Sequence, residues 1–369
     1  VTLAALAYVV TQITWHDRLR VDNGTILGRV QVTDDAGAVF LAEDGATWPI
    51  ASLTDIIPGF WTLLRGLNPW VLLGVGLAYP VSIVLQALRW QWLLRTHQLD
   101  PGFRESLRLT WIGLLANNVL PGSTGGDLVK GWCIFRRAPG KQVAAVMTVF
   151  MDRVLGLVSL MLVGALALAS QTTRPELERP SRFVWWCLLA VLIGGIVFFS
   201  GRIRRLLRVS EIVARLPFNR QIHTLDQSVF HYRRHIDVMA RCVAISLLVH
   251  LWVIGCIYLL GRPLGIRSSL VNYYVFLPII FTGSAFFPSI AGLGVMEGLF
   301  QQLFTLVDPH ASSSAVALCI LYRVIALLGS LPGLVPAYAE FSAHGMPKLV
   351  AGATGPPIAT DADWTNGAQ

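Results

Sequence analysis

A chain of 369 residues with 54 % hydrophobic and only 14 % charged side chains, and a mean hydropathy of +0.60, is too apolar for an ordinary soluble enzyme, because soluble domains carry about 25 % charged residues. The net charge of +8 does not point to nucleic acid, since the arginines fall in short loops between apolar runs and not along one basic face. The five cysteines, Cys133, Cys187, Cys242, Cys256 and Cys319, stand singly in or beside apolar segments; they exclude a disulfide framework and a clustered metal site and read as packing residues.

In chain order, residues 1–15 form a short apolar stretch with no basic flank and no cleavage pattern after Trp15, so they read as a first transmembrane helix truncated at its start. Residues 16–58 are polar, with β-like runs at 25–32 and 38–43 between Asp-Asn-Gly, Asp-Asp-Ala-Gly and Glu-Asp-Gly turns, the pattern of a small β-like insert outside the bilayer. Its acids, among them Asp17, Asp22, Asp34, Asp35 and Glu43, suit an extracytoplasmic face. Asn23-Gly24-Thr25 matches a glycosylation acceptor, but Asn-Gly is itself a turn signal and the turn is preferred.

The membrane domain is expected over 59–345. Residues 69–88 make a span, and Arg89, Arg95, Arg104 and Arg108 mark its cytoplasmic end. Residues 106–120 are too short to cross and run into a break at Pro121, Gly125 and Gly126; a half helix then reaches 135 and meets Arg136, Arg137 and Lys141. This is the pattern of a re-entrant hairpin opening from the cytoplasm. Residues 142–169 span with Asp152-Arg153 inside, and 183–200 return. A basic stretch with Arg202, Arg204, Arg205, Arg208, Arg215, Arg220, Arg233 and Arg234 reads as an amphipathic helix on anionic lipid.

Residues 238–260 then cross outward, and 271–287 run inward to a second break at Pro288, Gly292 and Gly294. Residues 299–307 return, and 313–340 cross with Tyr322-Arg323 near their middle. The tail, 346–369, is rich in Gly, Pro and Ala and reads as disordered. On this layout about 18 Lys and Arg lie inside and about 9 outside, which places both termini in the cytoplasm of a bacterial-type inner membrane. Trp15, Trp61, Trp70, Trp90, Trp92, Trp185 and Trp186 fall near span ends, as interfacial tryptophans do.

The two halves share an order: half helix, Pro/Gly break, half helix, then a long span with a central arginine. Pro121 precedes Arg153 by 32 residues and Pro288 precedes Arg323 by 35. With hairpins opening from opposite sides, the fold class is an all-α polytopic membrane protein with an inverted-topology repeat and two re-entrant helical hairpins, whose breaks meet near the bilayer midplane. Non-helical backbone at that depth needs partners other than lipid, and each midplane charge costs roughly 2.5 to 3.5 kcal/mol. Asp127, Asp152, Arg153, Glu297 and Arg323 therefore call for a shared polar cavity.

Asp152 and Arg153 point about 100° apart on a helix and cannot pair, so Asp127 and Glu297 are the candidate partners. Half-helix N-termini at Gly125-Gly126 and 292–294 offer amides to an anion. Arg153 and Arg323 match a lipid phosphate through the guanidinium fork, with the carboxylates holding them when no ligand is bound or receiving a cationic headgroup. The bland alternatives are structural ion pairs for the arginines and helix caps or hairpin locks for Asp127 and Glu297. Lys130 reads as an inward-pointing hairpin charge and His250 as a hydrogen-bonded core residue.

Segments 120–130, Asp152-Arg153-Val154-Leu155-Gly156-Leu157 and 288–298 resemble the three motifs of the lysylphosphatidylglycerol synthase transmembrane region, or flippase-like domain, family. The resemblance covers 69–340 and implies a membrane domain that moves an amphiphilic lipid between leaflets, with the five charged residues at matching or repeat-related positions. This chain has Ala291-Gly292 where the usual motif has consecutive glycines. The soluble aminoacyl-transferase domain of multidomain members is not part of the resemblance, so lysyl-lipid synthesis is not expected of this chain, and the insert matches nothing in the family pattern.

The expected function is a flippase-like transporter for a lipid with an anionic or zwitterionic headgroup, with no cofactor, no metal and no nucleic-acid partner, and with a homo-oligomer compatible with the sequence. No nucleotide-binding Gly-x4-Gly-Lys-[Ser/Thr] run occurs. An intramembrane enzyme acting on a lipid through its carboxylates is the alternative, but no catalytic motif accompanies them; a membrane scaffold or regulatory subunit is the third reading.

Overall fold

The computed structural model describes residues 16–21, 24–33, 37–42, 46–49, 56–57, 59–120, 125–170, 178–199, 232, 234–285, 293–309 and 311–344. The expected first span at 1–15, most of the basic stretch before 236, the backbone breaks at Pro121, Pro288 and Gly292, and the tail lie outside the described residues.

The insert is an antiparallel sheet. Strands β1 (Asp17–Val21), β2 (Gly24–Thr33) and β3 (Gly37–Ala42) make its body, and the short β4 (Thr47–Pro49) and β5 (Ile56–Ile57) flank it in the order β4-β3-β2-β1-β5. Val21 faces Gly24 and Thr33 faces Gly37, the short connections that Asn-Gly and Asp-Ala-Gly signals call for. Asp17 ties the sheet to the helices: its carboxylate accepts from the Gly59 N–H at 2.5 Å and from Thr62 Oγ1 at 2.9 Å, and so caps the short helix α1 (Phe60–Arg65).

The rest is helical: α2 (Pro69–Thr96), α3 (Phe103–Val119), α4 (Gly125–Arg137), α5 (Gln142–Ala169), α6 (Glu178–Phe199), α7 (Ile236–Gly261), α8 (Leu270–Ala285), α9 (Val295–Thr305), α10 (Ser312–Ser330) and α11 (Leu334–His344), the last two joined by a 3₁₀ turn. Among the described residues four segments are long and apolar enough to cross a membrane: Pro69–Thr96, Gln142–Ala169, Ile236–Gly261 and Ser312–His344. Their outward faces carry bare hydrocarbon, with Leu77, Leu166, Leu248, Val335 and Tyr338 exposed, an arrangement that water would not support.

Local signals set the ends. The Asn68 side chain accepts from the Trp70 N–H at 2.9 Å, and Pro69 opens α2, where a missing N–H costs nothing. Helix α2 packs on α7 and α3, α5 on α4, α7 and α8, and α9 on α10. One core joins Tyr79, Ile83, Met161, Ile257, Phe276, Phe304 and Leu318; a second gathers Trp90, Leu109, Ile112, Val129, Cys133 and Val149 around the α3–α4 pair.

Two expectations are overturned here. The span expected over 69–88 does not stop at 88: α2 continues to Thr96, and Arg89 is a buried residue, not a cytoplasmic flank. Trp90 is fully buried and donates from Nε1 to Thr148 Oγ1 at 3.0 Å, so it is core and not interfacial. Both follow from one cause, a buried acid on α5 that draws the end of α2 inward.

Candidate functional site

That acid is Asp152. Its Oδ1 lies 2.7 Å from Arg89 Nε, and its Oδ2 lies 3.7 Å from Lys130 Nζ on α4. Arg89 Nη1 donates to Ser246 Oγ on α7 at 2.6 Å, and the Lys130 ammonium sits 3.8 Å above the Trp90 ring. The side chains of Arg89, Lys130 and Asp152 are 6 %, 7 % and 12 % exposed. At such burial charges persist only when paired and hydrogen-bonded. The hydroxyl and the aromatic face supply what one carboxylate cannot give two cations.

One residue on, and about 100° around α5, Arg153 forms an ion pair with Asp127, in the first turn of α4. Its side chain is 52 % exposed, so a guanidinium edge stays open. The five charges interact electrostatically, and three cations against two acids leave a surplus of one positive charge.

The approach of α3 and α4 makes this possible. A Cβ at Gly126 would lie 1.8 Å from the Gly113 carbonyl oxygen, so only glycine lets the two backbones touch. The Gly126 N–H donates to Asn117 Oδ1 at 2.7 Å.

The second centre repeats the pattern. Arg323 on α10 places Nε 2.6 Å from Glu297 Oε1, in the first turn of α9. Glu297 Oε2 accepts from the Gly294 N–H at 2.7 Å, with Gly294 at φ +89°. Cys319 lies beside this pair, and the Tyr322 ring meets that of Tyr79 edge to face with centroids 6.4 Å apart. The spacing is identical in the two centres: 153 is 26 positions after 127, and 323 is 26 after 297.

The candidate residues are thus brought together as Asp127 with Arg153 and Glu297 with Arg323, while Asp152 belongs to Arg89 and Lys130. Lys130 points inward, and His250 Nε2 meets the Gly156 carbonyl at 2.9 Å. Of the amides expected to meet a ligand, those of Gly126 and Gly294 are engaged by Asn117 and Glu297 instead, and Gly292 lies outside the described residues. The sequence reading missed Arg89, Ser246, Cys319 and Tyr79. It also missed a third network in which Arg137 and Arg108 bind the buried Glu340 at 2.5 and 3.1 Å and Glu105 at 3.0 and 3.3 Å. The equal 26-residue offset adds to the helix-angle signal for pairing; nothing linear assigns Arg89 to Asp152, 63 positions away.

Residues 51–333 match the model of the lysylphosphatidylglycerol synthase TM region family. A UPF0104 membrane protein of Methanothermobacter thermautotrophicus (strain ATCC 29096 / DSM 1053 / JCM 10044 / NBRC 100330 / Delta H) is 24 % identical over 282 residues, covering 69 % of this chain and 80 % of that protein. No solved structure matches the chain.

Proposed function

Because this multi-pass integral membrane protein belongs to the lysylphosphatidylglycerol synthase TM region family, we propose that it binds and moves between leaflets a lipid with a charged headgroup, its phosphate received by Arg153 and Arg323. The observation that carries the reading is the pair of equal clamps. Each has a carboxylate in the first turn of a short helix and an arginine 26 residues later on the following long helix. In the proposed cycle the carboxylate holds the guanidinium while no lipid is bound, and phosphate displaces it, since both anions fit the same fork. The surplus positive charge at the first centre favours an anion.

The finer architecture belongs to the same proposal. The pairs α3–α4 and α8–α9 are re-entrant hairpins of an inverted repeat, entering from opposite faces, with the clamps meeting in a midplane cavity. Both termini are cytoplasmic, in a plasma membrane of bacterial type, and the protein is a carrier and not an enzyme.

The test uses vesicles holding the purified protein and a phosphatidylglycerol with a fluorescent acyl label, read by the fraction of label open to an external quencher over time. Arg153→Ala and Arg323→Ala each abolish exchange between leaflets, and Arg→Lys leaves part of it. Wild-type exchange by folded Arg→Ala proteins would show that the pairs are structural only.

A further inference from the structure

Away from these charges, the first half of α2 and the last half of α7 diverge into an open trough of about 580 Å³. Its walls are hydrocarbon, including Val71, Val75, Leu251 and Leu259, and Gly74 and Gly255 open its floor; a Cβ at either glycine would meet nothing within 4 Å. Trp252 stands in one wall, pinned by donation from Nε1 to the Ala78 carbonyl at 2.9 Å. At one end is Arg262, the exposed C-cap of α7, with its guanidinium 5.8 Å from the Tyr258 ring centre.

The dimensions select the occupant. From 71 to 78 and from 251 to 259 the trough runs roughly 10 to 12 Å along the helices, within one leaflet of a hydrocarbon core about 30 Å thick. Its cation lies just beyond the apolar length, where an arginine reaches headgroups. Gly74 and Ala78 stand four apart on α2 as a helix-packing stripe would, but on α7 the bulky Leu251, Trp252 and Leu259 flank Gly255 and Arg262 closes the end, which suits a flexible apolar chain with an anionic head better than the flat face of a second helix. We propose that this trough holds one acyl chain of a phospholipid whose anionic headgroup contacts Arg262. The site shares no residue with the paired-charge centres and stands or falls apart from the transport reading.

The experiment titrates the detergent-solubilised full chain with phosphatidylglycerol brominated on an acyl chain and follows tryptophan quenching. A parallel Trp252→Phe protein isolates the contribution of Trp252. The Trp252 signal is expected to quench saturably. Arg262→Gln should raise the half-saturation concentration about tenfold, the loss of one charge-assisted contact. Gly255→Leu, which fills the open floor, should remove the saturable phase at an unchanged melting temperature. Should Gly255→Leu fail to fold, Gly74→Leu fills the floor from the α2 side and makes the same measurement. Wild-type quenching in the filled variant overturns the acyl site, and an unchanged half-saturation in Arg262→Gln overturns the headgroup contact. Disulfide-linked dimers of Leu259→Cys forming in bilayers in place of the Trp252 signal would assign the trough to a second copy and overturn the proposal.

Discussion

Replacing Asp152 by Asn keeps the size of the side chain and one acceptor oxygen but removes the carboxylate that lies between Arg89 and Lys130. Both cations are almost wholly buried, at 2.7 and 3.7 Å from it, so the triad goes from a net charge of +1 to +2 with no water to screen it. Breaking a buried ion pair from one side costs about 3 to 5 kcal/mol. A Coulomb energy of about 4 kcal/mol for unit charges 4 Å apart at an effective dielectric constant of 20 agrees in size. The folded-to-unfolded ratio should therefore fall more than about a hundredfold, read by reversible denaturation in mixed micelles. Asp127→Asn, next to the half-exposed Arg153, should lose no more than about 1 kcal/mol. The combined replacement Arg89→Leu, Lys130→Met, Asp152→Leu should recover most of the Asp152→Asn loss, because neutral packing removes the desolvation cost. Equal losses for Asp152→Asn and Asp127→Asn, or none for the former, would refute this division of labour.

Three further outcomes are expected. Gly126→Ala drives a methyl into the Gly113 carbonyl, forces α3 and α4 apart and should cost about 1 to 3 kcal/mol, seen as a lower thermal midpoint; an unchanged midpoint counts against the close approach. Glu340→Gln leaves Glu105 as the carboxylate that Arg108 and Arg137 share, so a loss of about 1 to 2 kcal/mol should appear as faster proteolysis near α11. Asp17→Ala removes two charge-assisted bonds worth about 1.5 to 3 kcal/mol each; amide exchange should rise across 17–57 and stay unchanged in the helices if the sheet is held at that point.

Hydropathy made the long helices legible, since about 20 apolar residues leave little other choice, and α5 runs from 142 to 169 as read. Turn residues gave the β-character of the insert. What failed was the inference that arginine ends a span. Arg89 looks like a flank because a linear window sees its neighbours Arg95 and Arg104 and not Asp152, which folding brings from another helix. Trp90 was misplaced for the same reason. The pairing of Arg153 with Asp127 was legible because a helix forbids Asp152 as its partner, whereas Glu340 closes a network whose members are scattered from 105 to 340.

A shift of 170 positions carries Asp127 onto Glu297 and Arg153 onto Arg323, but it carries Lys130 onto Phe300 and Asp152 onto Tyr322. Phe300 is fully buried and stacks on Phe304, and Tyr322 turns to Tyr79. The same clamp thus sits in a cationic frame in one half and an aromatic frame in the other. Two perfectly matched halves would give a carrier equal resting energies on either side and no intrinsic bias. On the proposed transport reading, the unequal frames give the two clamps different resting energies, so a lipid anion would load at different rates from the two sides while its equilibrium between leaflets stays unchanged.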